Sequence, residues 1–312
     1  MRRKQLFAIV TGLVIFALAA PSWAQQTVLS KVTVILNRTE KDRRLDYKMA
    51  DLVLDDASRK LMIRSKARPL EVDYEDIQKV IFEKTRHNIR LSRASVAGLA
   101  AVGGALLASA AQAEKVDAYL CYFEYTKPDG STHPYLLEMP LDLSKQAMER
   151  MGSIFGQKSV IADFPEKAET IEKSQLKDIQ SRHSVKVEKR NHPLPEIKPD
   201  KALVVVVCPG VAGAGAGHGY QQKLHANERV VAVNKQGTYN FFYLDPGEYL
   251  LVSQCGDASG MRINLEPGKD YYFIQSYLVG WSKIRTVLSR STKEIVMYEV
   301  SGAYYSDWQR EE

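Results

Sequence analysis

A period of two constrains the fold of this chain more than any other feature. Apolar and polar residues alternate in short runs, and turn-forming residues close each run before a helical face can develop. "KVTVILN", "LDYKMADLVLDD", "RKLMIRS", "PLEVDY", "IQKVIFEKT", "DAYLCYFEY" and "HPYLLEMPL" follow this rule in the first half. "ALVVVV", "ERVVAVN", "TYNFFYL", "EYLLVSQ", "MRINL", "YYFIQSYL", "KIRTVLS" and "EIVMYEV" are equally short strand candidates in the second, none longer than about eight residues, with turns roughly every ten residues. Strands this short bury their apolar sides only by stacking sheets, so the expected fold class is mainly β.

The period changes in two places. After the seventh run, Ala147, Met148, Met151, Ile154 and Phe155 recur at helical spacing, which predicts an amphipathic helix capped by Ser144 and ended by Gly156. The first unit is therefore read as residues 30–156, seven strands followed by a C-terminal helix. Between its fifth and sixth strands lies "ASVAGLAAVGGALLASAAQA", residues 94–113, with no charge. Val96, Leu99, Val102, Leu106 and Leu107 fall near one face of a helix there, beside a ridge of small residues that lets backbones approach. This insertion is read as a local packing or self-association segment, with membrane contact as the alternative.

Residues 157–201 are charged and carry Pro193, Pro195 and Pro199. Their composition predicts a linker holding two folded units apart, the second covering residues 202–303.

The chain opens with Arg2, Arg3 and Lys4, an apolar run from Leu6 to Ala20, then Pro21, Ser22 and Ala24. This is the pattern of a secretory signal peptide, residues 1–24, and it implies a periplasmic or secreted protein. Without those residues 40 Lys and Arg stand against 37 Asp and Glu, so bulk charge gives no reason to expect nucleic acid as a partner. Three cysteines are too few for a disulfide scaffold. Cys208 and Cys255 each end a strand-like run in the second half and are the candidate disulfide pair, against the alternative of buried thiols.

Two turns in the second half are near copies, "LDPGEYLL" and "LEPGKDYYF". Proline presets the first corner torsion, and the glycine after it accepts the positive φ of a type II turn. The run "VNKQGTYNFFYLDPGEYLLVSQ" with "INLEPGKDYYFIQS" and "EIVMYEVSG" resembles the exported bacterial family catalogued as domain of unknown function 2846. That resemblance implies an antiparallel, transthyretin-like β-sandwich in the cell envelope, and brings no catalytic residue or ligand. The leader has no cysteine to acylate, a departure from the lipoproteins common in that family. The first unit, through its seven strands, its helix and "VDYEDIQKVIFE", resembles the bacterial pleckstrin-homology-like domains, which implies a small barrel and no particular activity; such folds mostly bind lipid headgroups, peptides or other proteins, and fold alone does not choose among these. Arg64, Lys66 and Arg68 form a short basic run, but Glu71 and Asp73 follow, which weakens an anion-binding reading.

No motif announces an enzyme, a metal or a cofactor. His218 and His225, near Asn227 and Glu228, are weak metal-ligand candidates, better read as loop residues. Asp55–Asp56 and Asp73–Asp76 sit in turns, where carboxylates hydrogen-bond local backbone. "CPGVAGAGAGHG" invites comparison with a nucleotide loop, yet Gly213, Gly215, Gly217 and Gly219 alternate and no helix follows, so the dinucleotide spacing fails. Gly213, Gly215, Gly217 and His218 are instead read as a flexible connection offering an edge to a protein or envelope partner. Tyr304, Tyr305 and Trp308 are expected to dock on their own domain. The chain is thus read as an exported envelope binding or scaffolding module, with a membrane-associated factor and an unrecognised hydrolase as alternatives.

Overall fold

The structure, a computed structural model, describes residues 26–36, 46–85, 118–171, 183–188, 192–209, 221–279 and 284–310. The leader, the 94–113 insertion with Val96, Leu99, Val102, Leu106 and Leu107, and the glycine segment with Gly213, Gly215, Gly217 and His218 lie outside the described residues.

β1 (Gln26–Leu36), β2 (Asp46–Asp55), β3 (Lys60–Arg64) and β4 (Leu70–Asp73) form one antiparallel meander. β5 (Ile77–Thr85), β6 (Ala118–Thr126) and β7 (Thr132–Pro140) form a second, and β7 joins β1. The concave face gathers Val34, Leu52, Leu61, Val80, Phe123 and Leu137, and α1 (Leu141–Phe155) lays Ala147, Met151 and Phe155 on it. Ser144 does not cap this helix. Pro140 stands at the cap position, and the Ser144 hydroxyl donates to the Leu141 carbonyl at 2.8 Å. Gly156, at φ 55, ends the helix as its sequence position predicts.

The expected barrel does not close. β8 (Ser159–Ala162) runs parallel to β5 and takes the edge that β4 would need to meet, giving an open sheet in the order β4-β3-β2-β1-β7-β6-β5-β8.

The second unit is a two-sheet stack. Six strands are ordered β10-β19-β14-β11-β17-β18 and five are ordered β13-β12-β15-β16-β9. They comprise β9 (Glu169–Thr170), β10 (His183–Glu188), β11 (Ala202–Cys208), β12 (Gln222–Ala226), β13 (Arg229–Asn234), β14 (Thr238–Leu244), β15 (Gly247–Cys255), β16 (Asp257–Leu265), β17 (Asp270–Val279), β18 (Ile284–Ser291) and β19 (Tyr304–Arg310). Val204, Val206, Leu251, Ile263 and Phe273 fill the space between the sheets. The stack is not wholly antiparallel as expected: β11 runs parallel to β17, and β14 to β19. β19 arrives through a helical crossover, which permits parallel entry. That crossover is α2 (Lys293–Ser301), so "EIVMYEV", expected as a strand, is a helix.

The linker expectation also needs correction. Residues 157–201 contribute β8 to the first unit's sheet and β9 and β10 to the two sheets of the second. The proline stretch lies along the six-stranded sheet: Tyr239 Oη accepts from the His192 amide at 3.1 Å and donates to the His192 carbonyl at 2.8 Å, and Lys198 Nζ stands 4.3 Å from the centre of the Tyr243 ring.

The two units share a core. Ile35, Ile81, Leu120, Tyr122 and Leu136, on the convex face of the first sheet, pack with Leu203, Val205, Val207 and Tyr272 of the second unit and with Ile295 and Val296 of α2. Glu83 accepts the Thr292 amide at 2.8 Å, Lys79 meets Glu294 at 2.6 Å, and Tyr298 Oη donates to the Ile35 carbonyl at 2.6 Å. β11 is consequently buried on both faces, the environment that selects an unbroken apolar run over alternation.

Candidate cation-lined cleft

The candidate site lies where β1, β2 and the end of β3 come together. β1 and β2 pair in register except between Ser30 and Val32, where Lys31 is the extra residue of a bulge. Its φ is 67, the left-handed region where a side chain costs roughly 1–2 kcal/mol. Bulges re-aim a side chain, and backbone strain concentrates at functional positions.

Beside Lys31 the register sets Lys48 opposite Val34 and Arg64 opposite Asp51. The turn leaving β3 then adds Lys66. These four cations surround a depression of about 670 Å³, with Met49, Ala50, Ser65 and Ala67 completing the wall and Asp51 the single carboxylate. Met49 is 55% exposed at the rim.

Several other cations of the first unit are matched by carboxylates: Lys60 with Glu71 at 2.5 Å, Arg59 with Glu75 at 3.7 Å, Arg150 with Asp56. Among the described residues no carboxylate is paired with Lys31, Arg64 or Lys66. Glu71, which in sequence argues against an anion site, is held by Lys60. Arg68 stacks over the Tyr135 ring at 4.7 Å and does not join the cleft. A second depression of about 340 Å³ between Lys60, Asp73, Asp76 and Lys127 has mixed charge. Cations arrayed around one depression with exposed donors can hold an anion.

The remaining sequence candidates resolve differently. Cys208 and Cys255 are separate buried thiols. They end strands in different sheets, β11 and β15. Burial pushes the Cys255 thiol up to about 11 and the Cys121 thiol higher still, so neither is nucleophilic at neutral pH. His225 is buried and bonded to Gln254 at 3.0 Å, and Asn227 accepts the Leu250 amide at 2.9 Å; no metal-holding group of side chains occurs among the described residues. Asp55 serves its turn, accepting from the Ala57 amide at 3.0 Å and Ser58 Oγ at 2.9 Å. Tyr305 stacks on His192 at 4.2 Å and Trp308 meets His183 edge-on at 5.5 Å, so the tail aromatics dock on their own unit. No helix among the described residues is long and apolar enough to cross a membrane.

Sequence reading found Arg64 and Lys66 but missed Lys31 and Lys48. They lie far apart in the chain, and only the β1–β2–β3 register brings them together. Comparison with family models, curated proteins and solved structures found no match for this chain.

Proposed function

We propose that this chain is an exported cell-envelope protein that acts as a binding module, and that the β1–β3 cleft is its binding face. The observation that carries the reading is the grouping of Lys31, Lys48, Arg64 and Lys66 around one depression, with no carboxylate paired to Lys31, Arg64 or Lys66 among the described residues and Lys31 held on a strained bulge. The N-terminal leader pattern supports export. The resemblances of the two halves to pleckstrin-homology-like domains and to domain of unknown function 2846 support binding over catalysis. The shared core joins the unit that carries the cleft to the sandwich, which favours a component held at β1–β3 keeping a fixed relation to the rest of the molecule.

Site-specific photocrosslinking in intact cells tests this. A photoreactive residue at Ser65, in the cleft, is expected to give adducts that one at Ser153, on the exposed side of α1, does not. The same pattern from both positions, or none from Ser65, sinks the reading.

A further inference from the structure

We propose that β8 is a self-association edge, pairing antiparallel with the β8 of a second copy of this chain across a two-fold axis.

β8 is the last strand of the first unit's sheet. Its parallel pairing with β5 engages one side of its backbone, and among the described residues no strand lies on the other. Native proteins protect such an edge with charge, proline or a bulge, because its free N–H and C=O groups template another strand. The opposite end of the same sheet follows that rule, since β4 holds Glu71 and Asp73 out to solvent. β8 does the reverse. "SVIA" carries no charge and no proline, and Val160 and Ile161 are 51% and 60% exposed. Ala162 packs into the core shared by the two units, so Val160 stands on that side of the sheet and Ile161 on the side of α1. A further strand alongside β8 shelters both side chains and takes up the free backbone groups.

The ends of the strand select the partner. Lys158 stands at its start and Asp163 just past its end, both exposed. Lys158 Nζ donates to the Ile77 carbonyl at 2.6 Å, and neither side chain has an ion pair among the described residues. An antiparallel copy lays the start of one strand beside the end of the other, bringing Lys158 of each to Asp163 of its mate. Facing residues on paired strands point to the same side of the sheet, so a two-fold axis must set one residue opposite itself. That residue is Val160 or Ile161. In either register apolar side chains meet at the centre, and Lys158 falls within one position of Asp163 of the second copy.

Four residues on each side make a small contact, so the dimer is expected to be weak and to depend on concentration. It leaves the β1–β3 cleft open, because β8 lies at the far end of the sheet from β2, β3 and β4. Two copies present two clefts, so a surface carrying many ligands would hold the pair more firmly than a single copy.

Sedimentation velocity of the purified full chain over a wide range of concentration tests the proposal. A shift from monomer to dimer is expected as concentration rises. Ile161→Lys sets a charge at the centre of the pairing and should weaken association about tenfold or more. Val28→Lys, at a comparably exposed apolar position on β1, should leave association unchanged. Both sites face solvent, and unchanged melting temperatures confirm folding. Disulfide capture gives a second measurement, since the three native thiols are buried. Residues directly opposite on antiparallel strands lie within disulfide reach, so Val160→Cys or Ile161→Cys, whichever is on the axis, should oxidise to a covalent dimer. Ala57→Cys, in the turn between β2 and β3, should not. A protein that stays monomeric throughout, a dimer indifferent to Ile161→Lys, or no covalent dimer from either β8 cysteine overturns the proposal. The first of these would leave the edge to another part of this chain or to an unlike protein.

Discussion

Lys31 separates stability from binding at one position. A left-handed lysine costs energy that glycine would not, and glycine loses somewhat more backbone freedom on folding. Lys31→Gly should therefore raise stability by about 0.5–1 kcal/mol in urea unfolding while weakening the cleft's ligand. Lys31→Gln keeps the strain and loses the charge, so it should weaken binding with no stability gain. If Lys31→Gly destabilises the protein, the lysine stem is packing on something and the strain argument fails. Little of this was legible in the sequence. Arg64 and Lys66 are neighbours in the chain and visible as such, but Glu71 seemed to cancel them, and its capture by Lys60 depends on β3–β4 pairing. The Cys208–Cys255 bridge is not formed either: the two strand ends look equivalent in sequence but belong to different sheets, and both thiols are buried.

β1 begins at Gln26, ahead of its alternating run, and α1 begins at Leu141, ahead of Ser144, whereas β2 to β7 were legible to within a residue or two, since short runs bounded by polar turns mark them. "EIVMYEV" was not. Its apolar residues meet the core from several sides, with Ile295, Val296 and Tyr298 all buried, so no narrow helical stripe remained to separate it from a strand. Its start is fixed from outside: Glu83, on β5, accepts the Thr292 amide where the helix begins, setting a negative charge at the positive end of the helix. Glu83→Gln keeps an acceptor but loses that charge and should cost about 1–2 kcal/mol of stability, read by chemical denaturation. No change would mean that the helix is set by packing alone. Lys79 and Glu294 add a weaker tie at the same junction. Their hydrogen bond raises the lysine pKa, so the contribution is whole below the ordinary lysine value of 10.5 and is lost as pH climbs through the raised one. With Lys79 43% exposed, solvent screening keeps it small.

At the scale of the molecule, sequence showed two textures and a proline-containing stretch between them, which reads as separation. The opposite signal lay in "ALVVVV". A strand apolar on both faces needs a layer on each side, and a two-sheet sandwich supplies only one, so a third layer had to come from elsewhere in the chain. It comes from the first unit, whose convex face brings Ile35, Ile81, Leu120, Tyr122 and Leu136. Parting the units would expose that face and the outer side of β11 together, a contiguous apolar surface that a solvated domain rarely tolerates. The two halves should therefore unfold together. Hydrogen exchange of amides in β6 and in β11 should report one opening free energy. Ile295→Ala, at the contact between them, should lower both by the same amount, about 2–5 kcal/mol. If only the β11 amides shift, the first unit stands without the second, and a ligand held at the β1–β3 cleft would gain no fixed relation to the sandwich.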